Sequence, residues 1–112
     1  MTIEWIKPEK TYKLRAPISD HAIYFTIVGK DAPESFFINS KEMKSFQWIV
    51  ALMTSYSRQC QAGRKIDLII ADMYETFDPK GGYIIPDGSG DMVHGIIHHL
   101  GTILEKHVNA IS

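Results

Sequence analysis

A chain of 112 residues is the size of one domain and buries roughly two thirds of the surface its unfolded form exposes, so a single core is expected. Hydrophobic residues at 45% and charged residues at 22% exclude a disordered chain, and no apolar run approaches the ~20 residues of a membrane span. With 12 basic and 13 acidic residues the net charge of −1 supplies no global field, so neither nucleic acid nor a membrane is an expected partner.

The start, MTIEWIKPEK, lacks the apolar centre of a secretory signal, which predicts a cytoplasmic location. Residues 1–9 read as an extended arm in which Trp5 is a candidate interface anchor. From Lys10 to Ala16 the pattern alternates, with Tyr12, Leu14 and Ala16 on one face, and predicts a strand ending at Pro17. After the turn Pro17–Asp20, the run His21 to Val28 is β-branched and aromatic on both faces and reads as a central strand. Gly29 to Pro33 turns the chain again, and ESFFINS returns it as a third strand, completing an antiparallel meander.

Asn39 followed by Glu42 fits a capping box, so a helix is expected to begin there. Its apolar stripe is Phe46, Ile49, Val50, Met53, Tyr56 and Cys60. Trp48 and Leu52 fall outside that stripe and are candidate contacts for a partner or a second subunit. The single cysteine, Cys60, cannot form an internal disulfide and reads as a small buried thiol. Gly63 is placed to end this helix, and a second of about ten residues runs from near Asp67, with Ile66, Ile69, Ile70 and Met73 inward, stopping before Pro79.

Next comes FDPKGGYIIPDGSGD, a turn-rich stretch with one aromatic tip, Tyr83, read as a loop between helices. The final helix is expected to open near Ser89 to Asp91, with Val93, Ile96, Ile97, Leu100, Ile103, Leu104, Val108 and Ile111 on one stripe. His107 falls inside that stripe as a core or interface histidine. His94 and His98 share a polar edge with Asp91 and Glu105, and His99 points the other way. Gly95 and Gly101 each cost a helix about 1 kcal/mol relative to alanine, compensated by close packing on a neighbouring helix of this or another subunit. The expected fold is thus one α+β domain over 1–112, a meander of three strands (or slightly more) against about three helices.

Catalytic signatures are sparse. HGIIH offers an i,i+4 histidine pair without the glutamate of HExxH, so no metal is expected, and neither GxGxxG, GxxxxGK[ST] nor GxSxG occurs. The expectation is a chain without catalytic residues or cofactor; the enzymatic alternative would use His94 or His98 as a general acid-base group.

The succession YKLRAPISDHAIYFTIV, FFINSKEMKSFQWIVAL, FDPKGGY and LEKHVNAI resembles the TSCPD-type domain at the C-terminus of adenosylcobalamin-dependent (class II) ribonucleotide reductases. It is most similar to the separately encoded small chain of split class II reductases. The likeness spans roughly Tyr12 to Ile111, with FINSKEM, FQWIVAL and FDPKGGY its specific parts. It implies an α+β accessory domain associating with the reductase large chain, which would hold the radical chemistry, the cobalamin and the active-site cysteines. The cysteine signature that names the family is absent and Cys60 is not at an equivalent place, so metal and redox roles of cysteine-bearing relatives do not transfer.

The alternative expectation is a stand-alone oligomer that sequesters a nucleotide or nucleotide-derived signal, as a phage could encode. Candidate ligand or partner contacts are Phe77, Lys80, Gly81, Gly82, Tyr83, Asp87, His94 and His98, with Tyr83 for stacking, Lys80 for a phosphate and the glycine amides for close approach. Arg15, Arg58, Arg64 and Lys65 are further cations near which a phosphate could sit.

Overall fold

The structure is a computed structural model that describes residues 9–17, 19–78 and 80–111. Trp5 and most of the proposed arm lie outside the described residues. Strands β1 (Glu9–Leu14), β2 (Ile23–Val28) and β3 (Ser35–Ser40) form an antiparallel sheet in the order β1-β2-β3. Glu9, assigned to the arm by the sequence pattern, already pairs with Val28.

The pairing explains which face is buried. Leu14 lies opposite Ile23, and Phe25 opposite Ile38, so period-two alternation gathers Leu14, Ile23, Phe25, Ile27, Phe36 and Ile38 on one face, all buried. Full burial of each large apolar side chain contributes about 1.5–3 kcal/mol, which fixes the register against a one-residue slip. The other face carries Thr11, Thr26, Lys13, Tyr24 and Phe37; β2, apolar in sequence on both sides, is therefore covered on one side only.

A 3-10 turn, Met43–Phe46, leads into helix α1 (Gln47–Gln61), which runs along β3. The expected capping box at Asn39 and Glu42 is corrected: Asn39 is paired with Tyr24 inside β3. The Glu42 carboxylate makes no cap; it accepts from the Ser19 hydroxyl at 3.4 Å and sits 3.7 Å from the His21 ring. Strand pairing over an apolar face outweighs a cap contributing about 1 kcal/mol. Ile49, Met53 and Tyr56 of the expected stripe are buried, joined by Ser57. The Ser57 hydroxyl accepts the Phe36 N–H at 2.8 Å and donates back to the Met53 carbonyl at 2.8 Å. Gly63, at φ +95°, ends α1 as expected.

Helix α2 (Ile66–Tyr74) buries Ile69, Ile70 and Met73 and packs on helix α3 (Ile96–Ile111). At the crossing, a Cβ on Gly101 would lie 3.0 Å from both Met73 and Tyr74, so the compensation for this helical glycine comes from α2 of the same chain.

The stretch between α2 and α3 departs from the sequence expectation. It is not a plain loop: Tyr83–Ile84 (β4) and Met92–Val93 (β5) pair as a short antiparallel ribbon. The final helix therefore opens at Ile96 rather than near Ser89 to Asp91, and Gly95 precedes it at φ +155° with Asp78 against its α-carbon. Val93 is buried as expected, from a strand and not from a helix. No helix among the described residues is long and apolar enough to cross a membrane.

Candidate functional site

Helix α3 and the two residues before it present histidines to two different surroundings. On one side lies a row of rings. Phe77 stacks on His94 with centroids 4.2 Å apart, His94 on His98 at 4.9 Å, and Tyr74 meets His98 edge-on at 5.0 Å. The Tyr74 hydroxyl donates to the Glu105 carboxylate. His98 Nδ1 accepts the His94 backbone N–H at 2.9 Å, which requires a neutral ring at that nitrogen. Partial burial, with His94 adding to it, pushes the His98 pKa down and favours the same state. The structure thus brings Phe77, His94 and His98 together, although Phe77 and His94 are exposed. Among the described residues no group of three His, Cys, Asp or Glu side chains is placed to hold a metal ion.

On the other side, two buried histidines are each held by a tyrosine. The Tyr83 hydroxyl lies 2.7 Å from His99 Nδ1, and the Tyr12 hydroxyl 2.8 Å from His107 Nδ1. Burial pushes the Tyr83 phenol up, with Asp78 reinforcing it, so this hydroxyl keeps its proton. Burial also lowers His99 to about 4 and, with Lys10 nearby, lowers His107. A phenol is the better donor and a neutral imidazole the better acceptor, so the tyrosines donate to Nδ1 and each ring carries its proton on Nε2.

Tyr83 is accordingly no projecting tip. Its ring turns inward on His99, and its backbone pairs with Val93 in β4. The two preceding glycines do different jobs: Gly81 turns the chain at φ +92°, and Gly82 leaves room for the Val93 carbonyl oxygen, with which a Cβ would collide. The close approach expected for a ligand is taken by the chain's own backbone. Lys80 is exposed, its N–H bonded to Asp78 Oδ1 at 2.9 Å. Asp87 sits on the exposed turn of the ribbon, where hydrogen bonds from the Ser89 side chain and backbone hold its carboxyl low, with a smaller contribution from Lys106.

A groove of about 340 Å3 runs between β1, the segment 85–87 and α3. The basic residues Lys13, Arg15 and Lys106, the acidic Asp87 and the apolar Leu14, Ile85 and Ile103 line it. Tyr12 and His99 also line it. Of the residues singled out from the sequence for ligand contact, Asp87 and, among the further cations, Arg15 line this groove. Tyr12, His99 and Lys106 were missed because one sits in an alternating strand and the others on a helix whose neighbours are fixed by tertiary packing.

The remaining candidates are scattered. Trp48 is 45% exposed on α1, and Leu52 is half-buried against the core. Arg64 pairs with Asp72 at 2.7 Å, so it is committed to tying the α1–α2 turn to α2. Cys60 is half-buried and its thiol is pushed up by burial, which keeps it protonated and a poor nucleophile.

Compared with protein-family models, curated proteins and solved structures, the chain matches none.

Proposed function

We propose that this chain is an accessory domain that acts by protein association and carries no chemistry of its own, its partner being a large chain of the class II ribonucleotide reductase type. One observation carries the reading. Each of the three stretches that bear the reductase-associated likeness puts one aromatic side chain on the surface: Phe37 from FINSKEM at 57% exposure, Trp48 from FQWIVAL at 45% and Phe77 from FDPKGGY at 64%. Truncating a largely exposed aromatic costs the fold little, and aromatics are among the residue types that anchor protein interfaces.

The test is co-expression with the class II reductase large chain encoded in the same genome, followed by affinity capture and sedimentation. A complex at micromolar concentration is expected, together with higher reductase activity in its presence. The variants Phe37→Ala, Trp48→Ala and Phe77→Ala should include at least one that weakens the complex tenfold while its melting curve is unchanged. No complex at that concentration, with the reductase equally active alone, would sink the proposal.

A further inference from the structure

We propose that the groove between β1, the segment 85–87 and α3 is a binding site for a small organic phosphate of about nucleoside-monophosphate size. None of the three aromatics of the association surface lines it, so this site stands independently of that reading.

The floor of the groove provides the first argument. His99 is only 4% exposed, and its Nδ1 is occupied by the Tyr83 hydroxyl. Its Nε2–H has no partner among the described residues, yet no buried side-chain nitrogen or oxygen there is fully enclosed without a hydrogen bond. The Nε2–H must therefore reach the surface that His99 contributes, and that surface is the groove. A donor locked by a buried tyrosine and aimed into a cavity is a preorganised hydrogen bond for an oxygen acceptor.

Charge supplies the second argument. Lys13, Arg15 and Lys106 line the groove against the single carboxylate of Asp87, an excess of two positive charges in a protein whose net charge is −1. A phosphate monoester carries close to two negative charges at neutral pH and accepts hydrogen bonds on three oxygens, which suits a guanidinium fork and two ammonium groups. Asp87 leaves acceptor capacity for a hydroxyl or amino group of the ligand. The apolar wall of Leu14, Ile85 and Ile103 suits the flat or hydrocarbon part of such a molecule, and about 340 Å3 lies at the lower end of the range of small-ligand cavities, ~300–1,000 Å3.

The test is calorimetric titration of the whole chain with AMP, GMP, CMP, UMP and ribose 5-phosphate, alongside inorganic phosphate. At least one organic phosphate should saturate with a micromolar Kd, at least tenfold tighter than inorganic phosphate. Arg15→Ala and Lys106→Ala alter exposed side chains and leave the core intact; each should weaken that binding fivefold or more at unchanged melting temperature. His99→Gln, which keeps a polar group in place, should weaken it as well. The site is refuted by the absence of saturable binding across the panel at millimolar concentration. Equal affinity for inorganic phosphate, or Arg15→Ala and Lys106→Ala variants that bind as the parent does, refutes it equally.

Discussion

His98 and His99 are adjacent in the chain but occupy opposite situations. His98 belongs to a surface row of rings, Phe77, His94, His98 and Tyr74, in which stacking and one backbone hydrogen bond do the holding. His99, like His107 two turns further on, is buried and held through Nδ1 by a tyrosine brought from another element. A helix turns about 100° per residue, so one step along it exchanges water for core. The same residue type then becomes a neutral, buried donor on one side and a half-exposed ring on the other.

The largest expected effect separating the two sides is the response to acid. His99 falls from an ordinary 6.5 to about 4 in the folded chain because burial disfavours its charge; Asp87 opposes this, and His98 and Lys106 add to it. A depressed histidine stabilises the fold while both states are neutral, so its contribution is complete above pH 6.5. It is lost as pH falls from 6.5 through 4, because the unfolded chain takes up the proton first. At about 1.4 kcal/mol for each pH unit the loss is about 3 kcal/mol. Denaturant melts of the parent and of His99→Gln between pH 7 and 4 check this: the variant should have a flatter profile by that amount, and parallel profiles would contradict the assignment.

A smaller effect is expected from Tyr83→Phe, which leaves the buried His99 Nδ1 without a donor and should cost about 1–3 kcal/mol at pH 7. Chemical denaturation reads this directly; a change below 0.5 kcal/mol, taken as about the scatter of surface substitutions, would show that the pair is not held as described. The smallest belongs to the ring row. Phe77→Ala removes an exposed ring stacked on an exposed histidine, and about 0.5 kcal/mol or less is expected. A loss above about 1.5 kcal/mol would place that row among the structural supports of the fold and collapse the contrast.

Most of the layered architecture was legible in the residues. The meander follows from alternation in Tyr12–Leu14 and Ile23–Ile27 and from the turn residues between strands, and the stripes of α1 and α2 follow from Ile49, Met53, Ile69 and Met73 at helical spacing. The ribbon β4–β5 was not legible, because two residues per strand are too few to show a period. Val93 also sits where a helical stripe would put an apolar residue, which drew the helix boundary back toward Asp91. Asn39 was misread because local capping chemistry is visible in sequence and cross-strand partners are not. The groove combines Arg15 and Lys106 from opposite ends of the chain with Asp87 between them, a proximity that only the fold creates.

The Ser57 hydroxyl beneath β3 has a consequence for solubility. β3 is an outer strand, and an outer strand with bare amides is a template on which another chain can add itself. By accepting the Phe36 N–H, Ser57 occupies a group that an incoming strand would need, and Gln61 extends the cover to the Ser35 hydroxyl at 2.9 Å. Helix α1 is thus a guard rail along one border of the sheet as well as a layer of its core. On the opposite border, β1 carries the exposed Lys10 and Lys13, charges of the kind that discourage a second copy from pairing with an outer strand.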